Sequence, residues 1–249
     1  MRAYSAWFTT LCLLPLPLMA QTPSVITMDQ EPHHHLALHN DYVKVFKVQV
    51  SPGDSIVLHR HDQDTVAIAI GEQLVTVGIP GKPDVHQKNA DAQVRLQRGG
   101  YIHSTRVDGD TPYRTIAVEL MRPQTGFHND CATILPGEPL SCPDLPSKTS
   151  ATNITLPLLE SGETRVQLVR VLPNQSMDLE ESPVSRDTPQ VIVALDAASI
   201  SSGRSTKSEK ELQPGDFVWL DGKPGHEGLY ENRGDKEARF IEILFPGGH

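Results

Sequence analysis

The sequence lacks a basic block, long amphipathic helices and, beyond its first twenty residues, any apolar run long enough to cross a membrane. A formal charge of −9 without clustered Lys and Arg argues against nucleic acid as a partner, because phosphate binding needs such clusters. The missing apolar runs predict no stable membrane insertion of the processed chain. Aromatic residues make up only 5% of the 249 residues, against 18 glycines and 20 prolines. This composition favours short strands joined by turns.

The amino terminus has the pattern of a secretory signal peptide. Arg2 supplies an early positive charge, an apolar run follows to Leu18, and the small Ala20 precedes a polar segment. The run is short for a bilayer span and is interrupted by two prolines. We therefore predict that residues 1–20 are removed and that the mature protein is secreted or periplasmic. The alternative is an uncleaved membrane anchor.

Short segments rich in β-branched residues alternate with Pro-Gly and Gly-Gly turns, which indicates an all-β sandwich or barrel. The strand candidates of the first half are 44–50, 55–58, 65–70, 73–77, 93–96, 103–107 and 115–120. Those of the second half are 165–171, 190–195, 216–220, 229–231 and 240–245.

An internal repeat divides the chain into two similar units. Residues 44–52 match 165–173 at an offset of 121, and 109–114 match 234–239 at an offset of 125. The repeat and the composition between its copies predict four parts. They are a signal peptide at 1–20, a first barrel at 33–122, a linker at 123–155 and a second barrel at 156–249.

Two cysteines lie in the predicted linker. Cys131 and Cys142 are the ones that remain after removal of the signal peptide, and Pro136-Gly137 lets the chain turn back between them. In an oxidising compartment this spacing predicts a disulfide. Two unpaired thiols or an intermolecular bridge are the alternatives.

The sharpest motif is His59-Arg60-His61. Residues two apart on a strand point to the same face, so both histidines can face a barrel interior while Arg60 faces out. Two imidazoles need a further ligand from elsewhere to form a metal site. His103, which follows the Gly99-Gly100 turn at the start of another strand candidate, is the candidate for that ligand.

These motifs resemble those of the cupin superfamily, and the duplication resembles its two-domain members. Gly53, five residues and His59-Arg60-His61 match the first cupin motif, and Gly100 with His103 matches the end of the second. The resemblance implies two tandem jelly-roll barrels, or double-stranded β-helices, and one divalent transition metal: Fe, Mn, Cu, Ni or Zn. It implies His59, His61 and His103 as ligands. A barrel that keeps these residues for packing alone is the alternative.

The glutamate of the first cupin motif has no counterpart in this chain. The aligned position is Thr65, and Asp64 lies one residue earlier. Either Asp64 reaches the metal as a fourth ligand, or three neutral histidines form the site. Three neutral ligands would leave the divalent charge uncompensated and would favour an anionic substrate.

The second unit does not repeat the metal motif. At the offset of 121 the two histidines become Glu180-Glu181-Ser182, and His226 alone remains near the expected site. We expect a degenerate barrel, with a pocket built from Glu180 and His226 as the alternative. His33-His34-His35 is expected to be a solvated leading segment rather than a weak nickel or copper site. His86 and His128 are expected at the surface.

Three functions are compatible with the sequence. The resemblance favours a metalloenzyme of dioxygenase or decarboxylase type that acts on a small anionic or phenolic molecule, with Tyr101 and Arg114 as candidate helpers. A metal-dependent small-ligand binding protein and a structural barrel pair are the alternatives, because cupin folds host all three. Pairing of exposed sheet edges would allow a homodimer.

Overall fold

The computed structural model describes residues 25–135, 152–178, 188–202, 208–223 and 228–246. In these ranges the chain forms β-strands and one turn of 3₁₀ helix, and no α-helix. The same ranges contain no helix that could span a membrane. The all-β fold class predicted from the sequence is confirmed.

Several predictions concern residues outside those ranges. They are the signal peptide at 1–20, Cys142, and the second-unit residues Glu180, Glu181, Ser182 and His226. For these residues the sequence-based statements stay predictions.

The strands of the first half are β1 (Ile26–Thr27), β2 (His34–His39), β3 (Val43–Val50), β4 (Ser55–Arg60), β5 (Thr65–Ala69), β6 (Gln73–Gly78), β7 (Val85–Asn89), β8 (Val94–Gln97), β9 (Ile102–Val107), β10 (Tyr113–Leu120), β11 (His128–Asn129) and β12 (Thr133–Leu135). Those of the second half are β13 (Ile154–Glu160), β14 (Arg165–Val171), β15 (Gln175–Asp178), β16 (Gln190–Ala194), β17 (Ala198–Ser202), β18 (Ser208–Leu212), β19 (Phe217–Leu220), β20 (Gly228–Asn232) and β21 (Ala238–Leu244). The 3₁₀ turn, Met28–Gln30, lies between β1 and β2.

Each half forms two sheets, and the strand order of the first half recurs in the second. In the first half the orders are β1-β4-β9-β6-β7 and β12-β8-β5-β10-β3-β2. In the second they are β15-β20-β17-β18 and β11-β13-β14-β21-β16-β19. The series β2-β3-β10-β5-β8 thus corresponds to β13-β14-β21-β16-β19, and β4-β9-β6-β7 to β15-β20-β17-β18. The internal sequence repeat therefore corresponds to two units that share one strand topology.

Strand β3 shows how alternation builds two separate cores. Val43 and Val45 pack into a core shared with the second unit, whereas Phe46, Val48 and Val50 pack inside the first barrel. Successive side chains of a strand point to opposite faces of the sheet. A sheet that is covered on both faces therefore needs apolar residues at odd and at even positions of its strands. The apolar residues at both odd and even positions of β3 reflect this double burial.

The two six-stranded sheets pack against each other across one hydrophobic core. The core takes valine, leucine and isoleucine side chains from both halves, among them Val66, Ile68, Ile116, Val118, Val166, Leu168, Val193, Ile241 and Ile243. At its rim Lys47 pairs with Asp216 at 2.8 Å, and Arg239 pairs with Asp91 at 2.7 Å. The second barrel therefore covers a face of the first that would otherwise expose apolar side chains to water.

Arg114 belongs to this contact between the units and not to a catalytic site. Its Nη2 donates to the carbonyl oxygen of Pro214 at 2.6 Å. The interpretation of Arg114 as a catalytic helper was wrong, because its side chain lies on the face of β10 that meets the second unit.

The predicted linker adds an edge strand to each unit. Strand β11 pairs with β13, and β12 runs parallel to β8. Cys131 lies between these two strands and is described, whereas Cys142 is not. The disulfide between them stays a prediction.

Candidate metal centre

The three histidines predicted from separate segments meet inside the first barrel. Their exposed fractions are 1% for His59, 2% for His61 and 6% for His103. One ring nitrogen from each lies within 4.8 Å of the other two, and the Nε2 atoms of His61 and His103 are 3.0 Å apart. Such a cluster has the donor atoms and the spacing needed to hold a metal ion.

Strand pairing places the cluster. His59 on β4 lies opposite His103 on β9, after a β-bulge that follows Ile56. Arg60 points away and its side chain is 47% exposed, as the alternation predicted. Gly100 adopts a left-handed φ of +85° in the turn before β9, a conformation that favours glycine, and its N–H donates to the carbonyl of His61 at 2.7 Å.

Each ring is held by its Nδ1 atom, which leaves Nε2 facing the centre. The Nδ1 contacts are Val57 O at 2.9 Å for His59, Thr65 Oγ1 at 3.2 Å for His61 and Thr105 Oγ1 at 3.4 Å for His103. A second partner at one ring nitrogen fixes the tautomer and orientation of metal-binding histidines. The supporting contacts of a metal centre are thus present.

The Nε2 atom of His59 is buried and makes no hydrogen bond. Because the Nδ1 of this ring donates to a backbone carbonyl, its Nε2 carries a lone pair directed into the cluster. Buried polar atoms without a partner are rare in folded proteins. A divalent metal ion between the three Nε2 atoms would satisfy this lone pair, so the residues fit the ion implied by the resemblance.

Lowered pKa values keep the three histidines of the cluster in the neutral form. Burial, with a smaller contribution from nearby His34, lowers the pKa of His59 to about 4. Burial also lowers the pKa of His61 and of His103 well below the usual value, and the neighbouring histidines act in the same direction. Neutral imidazole is the form that binds metals.

Asp64 is not part of the cluster. Its Oδ1 accepts hydrogen bonds from Arg98 Nε at 2.9 Å and from the N–H of Gly99 at 2.8 Å. The proposed fourth ligand is therefore corrected: this carboxylate pairs with Arg98 and caps the turn that leads to β9. The adjacent Thr65 points inward instead and supports His61.

Replacing Asp64 with asparagine tests this correction. The variant is expected to keep the metal content of the wild type, because asparagine can still accept from Gly99 and no ligand is lost. It loses an ion pair whose arginine is 41% exposed, so we expect the free energy of unfolding to fall by about 1 kcal/mol or less. Metal-to-protein ratios and urea denaturation measure both quantities. Loss of the metal in Asp64→Asn would restore Asp64 as a ligand.

His34 was placed wrongly in a solvated leading segment. Its side chain is 5% exposed, and its ring centroid lies 4.9 Å from that of His59. The physical reason is the parallel pairing of β1 with β4, which brings Glu31 behind the cluster. Glu31 accepts from His34 Nδ1 at 2.8 Å. A glutamate two residues before a histidine run was the available signal, and no local periodicity marked it as buried.

Glu31 supplies a negative charge close to the cluster. It is 2% exposed and also accepts from the N–H groups of His33, at 2.7 Å, and of Val57, at 3.3 Å. Burial by itself raises the pKa of Glu31, but hydrogen bonds from His34 and His33 outweigh it and lower that pKa to about 2. Since Val57 O in turn holds His59, one carboxylate supports the wall of the site.

A cavity of about 320 Å³ adjoins the cluster at His103. The exposed area of its wall is mostly apolar, and its polar lining residues are Lys82, Gln87, Arg95, Gln97, Tyr101, His103, Thr105 and Tyr113. The ring of Tyr101 stacks on that of His103, with centroids 4.8 Å apart and planes at 27°. Tyr101 therefore lies at the site, as expected for a candidate helper. The cavity is large enough for a small organic molecule.

His86 and His128 lie at the surface of the protein. His86 and His128 are 76% and 75% exposed at their side chains, so their prediction as surface residues is confirmed.

Comparisons with known proteins find similarity in structure rather than in sequence. No protein-family model and no curated protein matches the chain. AerE from Microcystis aeruginosa superposes with a TM-score of 0.52 at 10% identity over 86% of this chain and 98% of that one. A variant of salicylate 1,2-dioxygenase from Pseudoaminobacter salicylatoxidans in complex with gentisate gives 0.54 at 12%, over 86% and 75%. Vicilin from Capsicum annuum gives 0.55 at 9%, over 83% and 76%.

At sequence identities of 9% to 12%, these structural similarities establish the fold alone. Each covers both halves of this chain, and the described strands repeat one topology twice. The chain has the two-barrel, bicupin-type fold of the cupin superfamily.

Proposed function

We propose that the first barrel binds one divalent transition metal ion through the Nε2 atoms of His59, His61 and His103. We further propose that the adjoining cavity admits a small anionic or phenolic molecule to this ion. The observation that carries the proposal is the buried Nε2 of His59, which has no hydrogen-bond partner and faces two further imidazole nitrogens. Imidazole ligands suit Fe, Cu, Ni and Zn, and the resemblance to cupins adds Mn.

When bound, such a metal would supply an open coordination position at which dioxygen or a substrate oxygen is activated. The residues of the chain would orient the metal ligands and enclose the bound molecule. Val57, Thr65 and Thr105 hold the three rings in one orientation, and Tyr101 covers His103 on the cavity side. The mostly apolar cavity walls exclude water from a ligand beside the cluster. This arrangement supports chemistry of dioxygenase or decarboxylase type.

Metal-dependent binding without turnover is the second candidate. The described residues that line the cavity include no carboxylate to move a proton on a bound molecule, which favours capture over reaction. The two functions share the metal site and differ in whether the bound molecule is consumed.

Elemental analysis of the purified full-length chain tests the metal centre. We expect about one equivalent of a transition metal per chain, lost in His103→Ala. The matched control is His128→Ala, which removes an exposed histidine and should keep the metal. Equal metal in both variants would refute the proposed site. Oxygen uptake with 2-hydroxybenzoate and 2,5-dihydroxybenzoate then separates an enzyme from a binding protein.

We also propose that the protein is exported and that Cys131 pairs with Cys142. The signal-like composition of residues 1–20 supports export, and the spacing of the two cysteines supports the bridge. Amino-terminal sequencing of the mature protein tests the first statement, and mass spectrometry before and after reduction tests the second. A mature chain that still begins at Met1, or free thiols at both cysteines, would contradict them.

A further inference from the structure

Arg95 is a buried cation in the wall of the cavity beside the histidine cluster. It lies on β8, where every residue is buried. Val94 and Leu96 pack into the core between the two units, whereas Arg95 and Gln97 line the cavity. Since alternate residues of a strand point to opposite faces, the burial of Leu96 on one face directs Arg95 to the barrel interior. The exposed fraction of Arg95 is 4%.

The charge of Arg95 has no acidic partner in the described part of the chain. Its Nη2 donates to the hydroxyl of Tyr113 at 3.3 Å, and its Nε makes no hydrogen bond. No Asp or Glu is found among the described lining residues, and Lys82 adds a second cation at the exposed side of the cavity. A buried charge without a partner destabilises a fold. The cavity is therefore electrostatically incomplete without an anion.

The other walls of the cavity restrict what that anion can be. Most of their exposed area is apolar, from the side chains of Val75, Val77, Ile79, Val85 and Leu135 and the rings of Tyr101 and Tyr113, and a smaller polar part comes from Gln87, Gln97, His103 and Thr105. A volume of about 320 Å³ lies at the small end of ligand pockets, which span about 300–1,000 Å³. The apolar part of the wall favours a ligand with an apolar or aromatic body, and a cation would be repelled by Arg95 and Lys82.

We propose that Arg95 binds the carboxylate of a small monocarboxylate with an apolar or aromatic body and so holds this molecule beside His103. The planar guanidinium offers parallel pairs of donors to a carboxylate, and no Asp or Glu among the described lining residues competes for them. The inference rests on the proposed function for the metal next to the ligand. The Arg95 contact itself requires no metal, so the two can fail separately.

Titration calorimetry of the full-length, metal-loaded chain tests this site with benzoate as the probe and benzamide as its uncharged match. We expect benzoate to bind at least about tenfold more tightly than benzamide. Arg95→Gln should weaken benzoate by about 10- to 100-fold, as expected for loss of a hydrogen bond to a charged group, and should change benzamide little. The matched control is Lys82→Gln, which removes the exposed cation and should weaken benzoate by less than about threefold.

Thermal unfolding separates a binding role from a structural one. Arg95→Gln removes a buried charge without a partner, so the ligand-free variant should melt no lower than the wild type and should keep its metal. Lack of benzoate binding to the wild type, equal binding of benzoate and benzamide, or wild-type benzoate affinity in Arg95→Gln would each overturn the proposal. Arg95-dependent benzoate binding by a chain that holds no metal would refute the metal centre alone.

Discussion

Replacing Glu31 with glutamine is expected to lower the free energy of unfolding by about 3 kcal/mol or more, although the side chain keeps its size. The buried carboxylate accepts hydrogen bonds from both His33 and His34 and from the N–H of Val57. Glutamine has one accepting oxygen, and its NH₂ group would face N–H donors in a buried site. A buried N–H group that loses its accepting oxygen keeps its full desolvation cost, which is the costly case.

The thermal midpoint of chelator-treated protein measures this effect. For a chain of this size about 3 kcal/mol corresponds to a decrease of about 6 to 12 °C. The control is Glu72→Gln, which removes an ion pair with Lys88 whose side chains are both 58% exposed, and which should cost about 1 kcal/mol at most. If Glu31→Gln melts like this control, Glu31 does not support the wall of the site.

The same substitution should weaken metal binding. Glu31 reaches the cluster through Val57, whose carbonyl orients His59, and through the ring of His34. Removing a group in such an outer position typically lowers metal affinity by about 10- to 100-fold. Competition against a chelator of known affinity gives the value for both variants. Unchanged affinity in Glu31→Gln would show that its charge is not felt by the metal.

Metal-free protein is expected to lose stability as the pH falls from about 6.5 to 4. The folded-state pKa of His59 is lowered from 6.5 to about 4, mainly by burial. Above pH 6.5 this ring is neutral in both states and the pH has no effect through it. Below that, the unfolded chain takes up a proton that the folded chain refuses, so unfolding becomes more favourable. The shift of His59 alone corresponds to about 3 kcal/mol.

Neighbouring groups also change the stability with pH, each in the direction set by its pKa shift. His61 and His103 have lowered pKa values for the same reason and act in the same direction. Glu31, with a folded-state pKa of about 2 against 4.5, removes further stability between pH 4.5 and 2. His33 opposes the trend: burial lowers its pKa, but its bond to Glu31 outweighs this and raises it, so its contribution is largest at acid pH.

Urea denaturation of chelator-treated protein at pH 7.5, 6.5, 5.5 and 4.5 measures the loss. A matched comparison is His59→Gln, which removes one titrating ring and should flatten the curve, whereas His128→Gln removes an exposed ring and should not. A wild-type curve that is flat over this range would mean that the three rings are not buried together in solution.

Local patterns in the sequence were sufficient for the repeat, for His59-Arg60-His61 and for many of the strands, but not for β2, β7, β13, β15, β17 and β18. Strands such as β4 and β9 carry alternation and are bounded by glycine turns, and both signals act between residues close in the chain. The strand candidates at 44–50, 73–77 and 103–107 therefore agree with the structure to within one residue. Strand β7 was missed, since its residues from Val85 to Asn89 are mostly exposed and polar.

The sequence by itself determined the all-β class, the duplication and the common face of His59 and His61, because each depends on spacing along the chain. The convergence of His103 with them was implied by the resemblance to cupins and depends on the pairing of β4 with β9. Only the tertiary structure decided the use of Glu31, Asp64 and Arg95. A carboxylate or guanidinium has no period that reveals its partner. Strand β8 alternates apolar Val94 and Leu96 with polar Arg95 and Gln97, and this alternation by itself would place Arg95 in solvent, whereas the structure buries both faces of the strand. The partners of these three residues lie on segments distant in sequence. They meet only where β1 pairs with β4 and where the two barrels pack together.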